Sequence, residues 1–115
     1  MSRLELLDGR TVQDFVVAPA AVLMLGKSDC EACARWTEEL EAFLEQSQDW
    51  PDVRFGKLLL DQGGLIAFKR ANPWLAELDA LPMNVIYQGG ERRSTYPGAG
   101  ASRLENRLRQ ILRPG

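Results

Sequence analysis

Residues 20–40 run AAVLMLGKSDCEACARWTEEL: an apolar run, a short polar break, then an amphipathic helical pattern. Cys30 and Cys33 lie in the break and the first turn after it, and they are the chain's 2 cysteines. This places a CxxC at a strand-to-helix junction. A helix N-terminus offers unpaired N–H groups and a partial positive charge, both of which favour a thiolate over a thiol. The thiolate is the species that attacks a disulfide, so the segment points to thiol–disulfide exchange.

Outward from this segment, residues 21–25 form a continuous apolar run between Pro19 and Gly26, which predicts a strand buried on both faces. Ser28-Asp29-Cys30-Glu31 has the S-x-x-E form of a capping box and predicts a helix start at or beside the first cysteine. Cys33, Trp36, Leu40, Phe43 and Leu44 then recur at helical spacing, and the helix is expected to fade near Ser47. Upstream, Leu4, Leu6 and Leu7 suggest a short edge strand, and Asp8 a cap for a helix over residues 8–18.

Downstream, residues 53–60 read as a strand. Residues 65–71 look helical, and Asn72-Pro73 reads as a fresh cap, so a broken helix is expected over 65–79. Residues 83–87 form the next strand, with Gly89-Gly90 as a hairpin turn into residues 92–96. Ser102-Arg103-Leu104-Glu105 is a second S-x-x-E box, opening a helix with Leu104, Leu108, Ile111 and Leu112 on one stripe. Arg103, Arg107, Arg109 and Arg113 read as the solvated face and C-terminal end of that helix. Helix-linked early strands argue for parallel pairing and the late hairpin for antiparallel pairing. The expected architecture is α/β, a mixed central sheet with helices on both faces.

With 115 residues, 45% of them hydrophobic, the chain is expected to be a single domain spanning residues 1–115. Its 14 basic and 16 acidic side chains are interspersed and give a net charge of −2, which offers no footprint for nucleic acid and no polybasic membrane patch. The apolar runs are too short to span a bilayer, and MSRLELLDGR does not look like a signal peptide, so a cytoplasmic location is expected. The chain has no histidine, which excludes Cys–His and Ser–His catalytic pairs. A zinc site would need two further ligands that neither cysteine nor histidine can supply, so no metal and no cofactor is expected.

Three pieces occur in an order that resembles the thioredoxin family: the CxxC after a buried strand, Leu81-Pro82 before another strand, and Gly98-Ala99 before the final helix. LPMNVIYQGGERRSTYPGA, residues 81–99, parallels the thioredoxin tail without a gap. The resemblance implies a thioredoxin-like fold, a cis-proline at Pro82, Leu81 facing the dithiol, and a loop there that pairs with substrate backbone. It also implies protein disulfides as substrates and a thioredoxin-reductase-type electron donor. Cys30 and Cys33 are the expected catalytic pair, with Cys30 attacking and Cys33 resolving. Leu81, Pro82 and Trp36 are the expected substrate contacts, although Trp36 also fits a core position.

The chain departs from the family pattern at the motif itself. Asp29 stands where thioredoxins carry a tryptophan, Glu31-Ala32 where they carry Gly-Pro, and Met24 where a buried acid lies. The missing basic partner and the missing acid predict a slower reductase, and Asp29 and Glu31, which oppose a thiolate by like charge, predict a more reducing couple. These departures keep two other readings open: a binding module that retains the fold and the Pro82 groove, and a redox partner dedicated to one target.

Overall fold

The computed structural model describes residues 3–112. Arg113, assigned above to the end of the last helix, lies outside the described residues. Elements follow in the order β1 (Leu4–Leu6), α1 (Thr11–Val16), β2 (Ala20–Gly26), α2 (Glu31–Gln46), β3 (Arg54–Leu59) and α3 (Ile66–Ala71). A 3-10 helix over Pro73–Glu77, β4 (Met83–Gln88), β5 (Glu91–Pro97) and α4 (Ala101–Leu112) complete the chain. The expected break after Ala71 is present, with Asn72 at the N-cap and Pro73 opening the second piece, although the Asn72 side chain makes no capping hydrogen bond. Its amide instead donates to Phe68 O (2.9 Å), and its oxygen accepts from Trp74 Nε1 (3.2 Å).

The five strands form one sheet in the order β1-β3-β2-β4-β5. β1 and β2 pair parallel with β3, while β4 pairs antiparallel with β2 and with β5. β2 is thus central, which is why its run is apolar on both faces. Alternate residues feed two cores. Val22 and Met24 pack with Trp36, Leu40 and Leu44 of α2 and with Leu104 and Leu108 of α4. Leu23 and Leu25 face the other way, towards Val12, Phe15, Phe68 and Leu75. β1 is a short edge strand whose Leu6 points outward and is 80% exposed.

Three local expectations need qualification. Asp8 does cap the start of α1, since its Oδ1 accepts from the N–H groups of Arg10 and Thr11, both at 2.9 Å. The helix, however, ends at Val16. The second S-x-x-E box does not form a cap, because Ser102 already lies inside α4. The Glu39 carboxylate of α2 reaches across instead and accepts from Ala101 N at 2.8 Å. Of the described arginines of α4, Arg103 and Arg109 are exposed as expected, while Arg107 is half-buried. The guanidinium carbons of Arg107 and Arg103 lie over the Tyr96 ring, 4.1 and 5.2 Å from its centroid. Burial pushes the Tyr96 hydroxyl up to about 12, which its cationic neighbours oppose without prevailing.

Candidate active site

The apolar β2 carries the chain to Gly26 at one end of the sheet, and residues 27–29 turn it into α2. Cys30 is the N-cap, with extended dihedrals (φ −110°, ψ 107°), and its Sγ accepts from Cys33 N at 3.1 Å. Sulfur therefore occupies the place that a serine or aspartate oxygen takes in an ordinary cap. Cys30 and Cys33 form a disulfide with a Cα–Cα distance of 5.2 Å. Cys30 is half-buried, whereas Cys33 is 1% exposed. Gly26 makes room for the inner cysteine: a Cβ there would stand 3.2 Å from both Cβ and Sγ of Cys33.

Ser28 does not cap α2, contrary to the S-x-x-E pattern. Its N–H donates to both carboxylate oxygens of Asp61 (3.2 Å each), and its hydroxyl donates to Oδ2. Asp61 follows β3, so this contact ties the approach to the motif to the neighbouring strand. Hydrogen bonds from the Ser28 hydroxyl and N–H hold the Asp61 carboxyl below the usual carboxylate range, with Lys27 a smaller cause. A carboxyl with a depressed folded-state pKa supports its contacts above the unfolded value and loses that support as pH falls through the folded one. The Ser28 amide proton resonance is therefore expected to titrate with a midpoint below 3.8, the ordinary aspartate value, and to lose this transition in Asp61→Asn. An NMR midpoint at or above 3.8 would count against the tether.

Beside Cys30 lies an open cleft of ≈ 430 Å³. Lys27, Asp29 and Cys30 line it from the β2–α2 junction, and residues 78–81 line it from the segment entering β4. The Leu81–Pro82 peptide is cis, in accord with the resemblance. Leu81 borders the cleft with Cys30, and Pro82 is buried behind it, its carbonyl accepting from Gly98 N at 2.9 Å. Cys30, Cys33, Leu81 and Pro82 thus gather at one end of the sheet. Trp36 does not join the cleft surface. At 1% exposure it belongs to the core, and its Nε1 donates to Asn84 Oδ1 at 2.8 Å. The expectation that Trp36 contacts substrate is corrected on that ground: its helical spacing from Cys33 turns the indole inward.

Asn84 escaped the sequence reading. Among the described residues it is the one buried polar side chain, 1% exposed on β4. It stands opposite Met24 in the β2–β4 register, beside the position where the family pattern would put an acid. A polar residue within MNVIY was the available signal. Stranding one partner of such a buried pair costs about 1–3 kcal/mol.

No family model matches the chain, and no curated protein sequence matches it. Solved structures do. Thioredoxin f2 of Chlamydomonas reinhardtii superimposes with a TM-score of 0.73 at 23% identity, over 97% of this chain and 98% of that one. Thioredoxin O2 of Arabidopsis thaliana, in its oxidized state, gives 0.71 at 21% identity, covering 96% and 95%. The thioredoxin of Malassezia sympodialis (Mala s 13) gives 0.73 at 17%, covering 96% and 91%. The chain has the thioredoxin fold. It is a thioredoxin-like protein in architecture, with its two cysteines joined in a CxxC disulfide.

Proposed function

We propose that the chain is a thiol–disulfide oxidoreductase that reduces or exchanges disulfides of protein substrates in the cytoplasm. The observation that carries this reading is the Cys30–Cys33 disulfide at a helix N-cap, bordering an open cleft whose far wall includes Leu81. In the reduced form, the cap and the first-turn N–H groups favour a Cys30 thiolate. Its Sγ attacks one sulfur of a substrate disulfide, forming a mixed disulfide and releasing the other sulfur as a thiolate. Cys33 Sγ then attacks Cys30 Sγ, closing the intramolecular disulfide and releasing the second substrate thiolate. The two electrons that reduce the substrate are those lost by the dithiol, and the released thiolates take protons from water. An external dithiol, delivered by a thioredoxin-reductase-type donor, restores the pair. Exposure suits Cys30 to the first role. Burial suits Cys33 to the second, where only proximity is required.

A second reading is favoured by Met24, Asp29 and Glu31-Ala32: a fold retained for binding, or for one dedicated partner, with little general turnover. The test is turnover on a generic protein disulfide with a chemical reductant, paired with capture by Cys33→Ser. The variant is expected to accumulate mixed disulfides through Cys30, seen on non-reducing gels and dissolved by reductant. Absence of both turnover and capture, with the pair confirmed reduced beforehand, would favour the binding reading.

A further inference from the structure

We propose that Asn84 is a positioning residue for this exchange, holding Pro82, and through it the Leu81 wall of the cleft, in register with the helix that carries Cys30 and Cys33. The inference rests on the oxidoreductase reading above. Its basis is a continuous run of hydrogen bonds. Trp36, one turn beyond Cys33 on α2, donates from Nε1 to Asn84 Oδ1 at 2.8 Å. The Asn84 amide donates to Gly98 O at 2.8 Å and, more weakly, to Tyr96 O at 3.4 Å. Gly98 N in turn donates to Pro82 O at 2.9 Å. The run begins in the helix bearing the cysteines and ends on the carbonyl of the residue behind Leu81.

Packing alone does not ask for an amide at this position. Met24 stands opposite Asn84 on β2 and Tyr96 opposite it on β5, so an apolar side chain would have buried equally well. A buried amide is tolerated when its donors and acceptor are paired, and both ends of this one are. What those pairs connect are α2, the start of β4 just after Leu81–Pro82, and the chain leaving β5. A protein substrate must lie along the wall while its sulfur reaches Cys30, so misplacement of wall against helix weakens that complex. A small disulfide needs only the sulfur.

The experiment compares reduced wild type and Asn84→Leu on insulin and on a small aromatic disulfide, with thermal unfolding as the fold control. For insulin, kcat/KM is expected to fall roughly tenfold, mostly through KM, while the rate on the small disulfide changes by no more than about twofold. Trp36→Phe removes only the helix end of the run and is the second variant, read in place of Asn84→Leu if that chain does not fold. It is expected to show the same split at smaller size. A loss of equal size on both substrates would mean that Asn84 serves stability alone and would overturn the inference, as would no loss on either. Reduced wild type inactive on both disulfides, with no capture by Cys33→Ser, would overturn the oxidoreductase reading itself, and the inference with it, which separates the two failures.

Discussion

Cys30→Ser is expected to reduce turnover of a protein disulfide to the rate of the chemical reductant alone, a loss of about a hundredfold or more. The reason is positional. Cys30 is the half-buried sulfur at the rim of the cleft, while Cys33 is sealed beneath it against Gly26 and cannot meet a protein disulfide directly. A serine hydroxyl still fits the N-cap and accepts the Cys33 N–H, so the fold is expected to survive. Activity and stability should therefore separate: turnover falls to background while the melting curve of the reduced protein stays near that of wild type. Retained turnover in Cys30→Ser would reassign the nucleophile. A collapse of the fold would show that sulfur at this cap does more than stand in for oxygen.

The second large effect concerns stability. Gly9→Ala is expected to cost roughly 1–3 kcal/mol or more, lowering Tm by about 5–15 °C, with activity per folded molecule retained. A Cβ at Gly9 would fall 1.9 Å from Gly64 O and 2.9 Å from Gly64 C. Those are backbone atoms, so no rotamer change relieves the clash and one of two loops must move. The same two loops are joined by Gln62, whose Nε2 donates to Leu7 O at 3.3 Å. Displacement would thus reach α1 and the approach to α3, on the face of the sheet opposite α2. Thermal unfolding checks this prediction, and a Tm within about 2 °C of wild type would refute the close approach.

Much of this arrangement is legible in the sequence because it is written in short-range patterns. The run before Gly26, the CxxC, Leu81-Pro82 and Gly89-Gly90 each declare themselves within a few residues, and each lies where expected. The misreadings share one cause. Ser28 and Ser102 both stand three residues before a glutamate, as a capping serine does, yet a remote acid intervenes at each helix. Asp61 takes the Ser28 hydroxyl, and Glu39 takes the first N–H of α4. Sulfur then fills the vacated cap of α2. Trp36 follows the same rule, since the indole expected to face substrate has its partner on β4, 48 residues away. Sequence windows report local competition for hydrogen bonds, and these contests are won from a distance.

The position of β1 has a consequence for the newly made chain. Among the described residues its one sheet partner is β3, with Leu4 opposite Phe55. On a ribosome adding about 5–20 residues per second, that leaves the first strand waiting on the order of 3–10 s for anything to pair with. During that interval β2 and α2 are already available to each other, whereas β1 still waits for β3. Three residues is a short edge to leave open, and short edges are the least adhesive. The brevity of β1 therefore suits a strand that is translated well ahead of its partner β3 and inserted late, limiting what a crowded nascent chain can capture before that partner arrives.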